Sequence, residues 1–133
     1  MSERRYVLLV DDDPAIAEMY RLGLEGHGFR VGVMASAMNL NQEVGQERPD
    51  ILVLDWELPG IRGDEALERL RQTEEGWNLP VFILSNFSGT SNGAVDRVFA
   101  AGAVAWLEKT STTPDQLARR LDEALSRAGG REI

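Results

Sequence analysis

A chain of 133 residues with 43% hydrophobic and 27% charged residues is sized for one ordinary globular domain around one core. Its formal net charge of −8 argues against a duplex-binding surface, and the absence of cysteine excludes disulfides and thiolate chemistry. No stretch is long enough to span a membrane and the N-terminal apolar run is too short for a signal peptide, so a cytoplasmic location is expected.

Arg5 to Val10 reads as a first strand, an apolar run that stops at Asp11-Asp12-Asp13. Asp13-Pro14 opens a helix, Asp13 as N-cap and Pro14 at the first helical position, which leaves Asp11 and Asp12 without a capping role. Ile16, Met19, Tyr20 and Gly23 fall at helical spacing and predict the face laid on the sheet, and Gly26-His27-Gly28 ends the helix. His27 is the only histidine and reads as a surface loop residue, which argues against a histidine phosphocarrier. Phe29 to Met34 is the second strand, and Met38 to Gln46 a weakly periodic helix ending near Gly45.

The run Ile51-Leu52-Val53-Leu54, bounded by Pro49-Asp50 before and Pro59-Gly60 after, predicts a strand buried on both faces with Asp55 at its carboxyl end. A loop from Pro59 to Gly63 leads to a helix from Asp64 to Gln72, with Ala66, Leu67 and Leu70 inward and Glu65, Glu68, Arg69 and Arg71 as a solvated face. Val81 to Leu84 is the fourth strand and ends at Ser85; a polar, Gly-containing loop runs from Asn86 to Gly93. A short helix follows, with Val95, Val98 and Phe99 apolar and Gly102 as its stop. Val104 to Leu107 is the fifth strand, followed by Glu108-Lys109. Thr113-Pro114 opens the last helix, with Leu117, Leu121, Ala124, Leu125 and Ala128 inward and Gly129-Gly130 at its end. There is no repeat, linker or second domain, and strands alternating with helices predict an α/β fold with a parallel sheet covered on both faces.

Such a sheet brings Asp11, Asp12, Asp55, Ser85 and Lys109 to one rim, where ligands bind in open α/β sheets. Three acids at close range require a cation, and hard oxygen ligands with no His or Cys select Mg²⁺ or Mn²⁺. A hydroxyl, an ammonium and a divalent cation around one carboxylate suit an anionic tetrahedral group, and aspartate can act as a covalent nucleophile toward phosphorus. Lys109 is the only lysine among fourteen basic residues, a pattern that fits either codon usage or a need for a compact point charge.

Val10-Asp11-Asp12-Asp13-Pro14, Leu54-Asp55-Trp56-Glu57-Leu58-Pro59-Gly60, Leu84-Ser85, Ala101-Gly102-Ala103 and Trp106-Leu107-Glu108-Lys109, in that order, resemble a response-regulator receiver domain of bacterial two-component signalling. The resemblance implies a flavodoxin-like, five-stranded parallel sheet in order 2-1-3-4-5 and a single receiver domain over residues 1–133. It implies that Asp55 is the phosphoacceptor, served by a sensor histidine kinase or phosphotransfer protein. Asp11 and Asp12 match the acidic pair, Asp12 as the direct ligand, and the main-chain carbonyl of Glu57 completes a Mg²⁺ site with Asp55. Ser85 matches the switch hydroxyl, Lys109 the site lysine and Trp106 the aromatic switch. A protein of this kind catalyses only its own phosphorylation and dephosphorylation and then switches an unnamed target. It could dimerise through the face from the fourth to the last helix. No output domain follows Arg127, so the chain is expected to act alone or as a receiver cut from a longer protein.

Three residues depart from the family pattern. Thr110 replaces the usual proline after the lysine; a cis bond before a non-proline costs roughly 3–4 kcal/mol, so either a trans bond with a reshaped loop or a strained cis bond is expected. Asn86 is larger than the usual small residue and would restrict access to Asp55. Trp106 is bulkier than the usual Tyr or Phe, which leaves a packing or interface role open beside the switch role. Three other readings stand alongside. An aspartate-nucleophile phosphohydrolase would use Asp11-x-Asp13 and show multiple turnover, but no cap segment is visible. A flavin or nucleotide module would be coloured or phosphate-binding, but three aspartates after strand one repel phosphate. A receiver-like interaction module with impaired or no phosphorylation would give no Trp56 fluorescence response to Mg²⁺.

Overall fold

The structure, a computed structural model, describes residues 4–86 and 93–130, of which 128–130 by backbone alone. Its elements are β1 (Tyr6–Val10), α1 (Pro14–Gly26), β2 (Arg30–Met34), α2 (Leu40–Glu47), β3 (Ile51–Asp55), α3 (Gly63–Leu70), β4 (Val81–Ser85), α4 (Ala94–Ala100), β5 (Ala105–Glu108) and α5 (Pro114–Gly130). The strands form one parallel sheet in order β2-β1-β3-β4-β5, the order the resemblance implies. Val10 pairs with Leu54, Asp55 with Leu84, and Ser85 with Glu108, so the carboxyl ends of β1, β3, β4 and β5 finish nearly level.

β1, β3 and β4 are buried along their whole length because both sheet faces are covered. Alternate residues of one apolar run feed two cores. Leu8, Leu52, Leu54 and Ile83 join Leu40, Val44, Leu67, Leu70 and Val98 of α2, α3 and α4 on one side. Val7, Leu9, Val53 and Phe82 join Tyr20, Leu24, Leu117, Leu121 and Leu125 of α1 and α5 on the other. Asp13 caps α1 through Ala15 N–H (3.0 Å) and Ile16 N–H (3.2 Å). Thr113 and Gln116 form a reciprocal capping box on α5, the Thr113 hydroxyl accepting from Gln116 N–H at 3.1 Å and Gln116 Oε1 accepting from Thr113 N–H at 2.9 Å.

Several local expectations shift. β1 begins at Tyr6, whose N–H goes to Asp50 Oδ2 (2.7 Å), and the second strand begins at Arg30. Met19 is 43% exposed; Ala17, Tyr20 and Leu24 carry the inward face of α1 instead. α2 passes Gly45 and stops at Arg48, which turns left-handed (φ 51°) and donates its N–H to Val44 O. Phe99 is also 43% exposed, and Ala94 and Val98 anchor α4. The last helix continues through Gly130, and the Ala128 side chain lies outside what is described. Residues 87–92 of the loop after Ser85 lie outside the described residues too. Among the described residues no helix is long and apolar enough to cross a membrane.

Arg71 corrects the solvated face of α3. The helix ends at Leu70, so Arg71 turns away and donates to the carbonyls of Ala101 (2.7 Å), Leu79 (2.7 Å), Gly76 (2.8 Å) and Gly102 (3.1 Å). Burial lowers the pKa of its guanidinium, yet no carboxylate pairs with it among the described residues. It staples the α3–β4 connection to the α4–β5 connection.

Gly23 sets how closely α1 and α5 approach, because a Cβ there would overlap Pro114 Cβ and lie 3.2 Å from its Cγ. Gly23→Ala gains about 1 kcal/mol of helix propensity and loses roughly 1–3 kcal/mol to overpacking against a rigid ring. Urea unfolding is expected to show a net loss for the variant. A higher midpoint than wild type would mean that α5 slides without cost.

Candidate functional site

The level strand ends gather the site. Asp11 follows β1, with its N–H on Met34 O (2.9 Å) and its Oδ1 accepting from Asp13 N–H (2.9 Å). Asp55 ends β3, and its Oδ1 accepts from Glu57 N–H at 3.0 Å. Lys109 follows β5, and its Nζ lies 3.0 Å from Asp55 Oδ2 and 3.1 Å from Asp11 Oδ2. All three of these side chains are buried, whereas Asp12 is exposed at the mouth. One oxygen each from Asp11, Asp12 and Asp55 lies within 4.8 Å of the others.

This arrangement holds three acids against one ammonium. Burial pushes the Asp55 carboxyl up to about 6, outweighing the Lys109 contact and the Glu57 amide that lower it, with Asp11 adding to the rise. Burial alone would lower the Lys109 ammonium, but Asp55 and Asp11 together hold it above its ordinary value. Asp11 Oδ2 is buried and faces Lys109 as a charge, yet no donor is aligned on it as a hydrogen bond. A buried anionic oxygen with an ammonium for a neighbour but no aligned donor, beside two more carboxylates, fits a hard divalent cation, which takes several oxygen ligands at once.

The backbone supporting Lys109 is fixed from the opposite side. Tyr20, fully buried in α1, donates its hydroxyl to Thr112 O at 2.7 Å and lies 3.5 Å from Lys109 O. The Lys109–Thr110 bond is trans, as are all peptide bonds among the described residues, and Lys109–Ser111 forms a 3₁₀ turn. Of the two bond geometries expected at Thr110, the structure has the trans one. Asn86 is exposed beside Ser85. Trp106 packs against Trp56, ring centroids 5.1 Å apart and planes tilted by 49°. Trp56 in turn leaves no room on α3, since a Cβ at Gly63 would come within 2.9 Å of its ring.

Two contributors escape the sequence. Tyr20 reads only as a core residue, although a buried tyrosine needs a partner for its hydroxyl, and that need is the signal that points to it. Glu57 reads only as a main-chain carbonyl. Its side chain crosses to β4 and accepts from the Ser85 hydroxyl (2.6 Å) and Asn86 N–H (3.1 Å to Oε1, 3.3 Å to Oε2). Nothing in its sequence position signals this contact.

A family model described as the response regulator receiver domain matches residues 7–122. The phosphate regulon transcriptional regulatory protein PhoB of Rhizobium meliloti is 34% identical over 113 residues, covering 85% of this chain and 49% of that protein. The DNA-binding dual master transcriptional regulator RpaA of Synechocystis is 32% identical over 116 residues, 85% of this chain and 46% of that protein. The chain thus spans about half the length of the curated relatives it matches. A response regulator receiver domain protein (CheY-like) of Methanospirillum hungatei, known as a crystal structure, aligns with TM-score 0.86 at 25% identity over 97% of this chain and 99% of that one.

The raised Asp55 carboxyl has a stability consequence in the absence of divalent cations. The folded chain keeps a proton that the unfolded chain releases, so this group's contribution falls as pH rises from about 4 through about 6. Asp55→Asn removes the buried charge. Urea unfolding with chelator is expected to find the variant more stable by about 2 kcal/mol above pH 6.5, converging with wild type near pH 4. Equal stabilities at pH 7 would contradict this balance.

Proposed function

The chain belongs to the response regulator receiver domain family, and on that premise we propose that it takes a phosphoryl group onto Asp55 from a phosphohistidine. The donor is a sensor histidine kinase or a phosphotransfer protein. The observation that carries the reading is Lys109 Nζ, set between Asp55 and Asp11 beside a three-carboxylate cluster. A carboxylate oxygen of Asp55 forms the new bond to phosphorus, and the P–N bond breaks with its electron pair passing to the donor imidazole. The product is an acyl phosphate on Asp55. Lys109 offsets charge at that carboxylate, and Ser85 and the Asn86 amide, which donate to Glu57 in this structure, would turn to phosphoryl oxygens. Asp11, Asp12, Asp55 and the Glu57 carbonyl would hold Mg²⁺ or Mn²⁺, which when bound offsets the repulsion between these acids and the incoming oxygens.

The chain turns over no external substrate in this reading. Phosphorylation draws Ser85 toward Asp55, where Lys109 already lies, and alters the surface between β4 and α5, where a downstream target or a second copy would dock through the face from α4 to α5. Trp106 takes a packing role, its indole leaning on Trp56. A net charge of −8 supports protein partners over nucleic acid, with a cytoplasmic place of action.

Incubation with Mg²⁺ and acetyl phosphate is expected to add the mass of one phosphoryl group to wild type and none to Asp55→Asn. The same adduct on both would remove Asp55 from the role. Trp56 is buried next to Asp55, so Mg²⁺ titration is expected to change tryptophan emission saturably, with a midpoint several-fold higher in Asp12→Asn. A flat response in wild type would instead indicate an interaction module that takes up no metal.

A further inference from the structure

The Glu57 carboxylate occupies two donors on the strand next to Asp55. The Ser85 hydroxyl, fully buried, points to Oε2 at 2.6 Å, and Asn86 N–H is shared between Oε1 and Oε2. The main-chain N–H of the same residue holds Asp55 Oδ1 at 3.0 Å. One residue therefore touches the acceptor carboxylate with its backbone and the neighbouring strand end with its side chain. The Glu57 carboxylate is not one of the three that cluster as candidate cation ligands.

A hydroxyl and an amide side by side form a receptor for an anionic oxygen pair. A phosphoryl group on Asp55 carries such oxygens. Two anions cannot share the pair, because like charges at this range repel. We propose that Glu57 is a built-in competitor for the phosphoryl-binding donors, a side chain that must swing out of the Ser85–Asn86 pair before a group on Asp55 can engage it. This rests on Asp55 being the phosphoacceptor. Glu57 is thereby a gating residue acting through Ser85 and Asn86, and its displacement delivers a carboxylate to the mouth of the site as the donors change partner.

Beryllofluoride, a phosphoryl mimic, tests this without turnover. Binding is followed at saturating Mg²⁺ by tryptophan emission and by the Asn86 amide resonance in ¹⁵N spectra. Glu57→Ala is expected to bind the mimic about tenfold more tightly than wild type, the scale of one charge-assisted hydrogen bond no longer contested. Glu57→Gln, which keeps one acceptor and loses the charge, is expected to fall between them. The Asn86 amide is expected to shift on Glu57→Ala before any mimic is added. Equal affinities for the three proteins, or an unmoved Asn86 resonance, overturn the competitor role and leave Asp55 in place. No binding of the mimic by any of them overturns the phosphoacceptor reading itself. Glu57→Gln serves as the folding control, since it preserves side-chain length.

Discussion

The structure depends on one buried cation among anions. Lys109 carries its ammonium to within 3.1 Å of two carboxylates, on side chains that water barely reaches. At such separations a unit charge pair is worth only about 1 kcal/mol in water and several times that at the lower effective dielectric near a protein interior. Desolvation opposes this, and at Asp55 it prevails, which is why the carboxyl stays reluctant to ionise. One lysine cannot balance three acids. The rim is left with an excess of negative charge in a confined space, and that excess is the electrostatic reason it would take up a divalent cation.

The positions of these charges follow from strand register. β1, β3 and β4 are alike as apolar ladders, and each gives way to polar residues at nearly the same level, Asp11 after β1, Asp55 at the end of β3 and Ser85 at the end of β4. A slip of one residue would send Asp55 to the opposite face and bury it in one of the two cores. The polar residues at the strand ends oppose that slip, since within a continuous apolar run a shifted residue would still find a core above or below the sheet.

Those runs are also why much of the fold could be read from residues alone. Strand number, order and the meeting of Asp11, Asp55 and Lys109 follow from apolar runs that stop at acids, together with the family resemblance. Helix faces were less legible. Met19 and Phe99 have the right periodicity but lie beyond the sheet's reach, and small residues such as Ala17 and Ala94 do the packing. Arg71 reads as one more exposed charge because sequence does not reveal that the helix stops one residue before it. Glu57 is beyond periodicity altogether, since its partners come from another strand. Long-range polar contacts leave no local pattern.

Arg71 also makes the two ends of the sheet mechanically unequal. Its guanidinium ties the carbonyls of Ala101 and Gly102, at the far end of α4, to those of Gly76 and Leu79 before β4. The end of the sheet opposite the Asp55 rim is clamped there. The C-terminal end of α4 is thereby held to the connection that precedes β4. Midway along the helix, Arg97 is tethered to Asp64 of α3 at 2.8 Å, a second tie that fixes α4 against its neighbour.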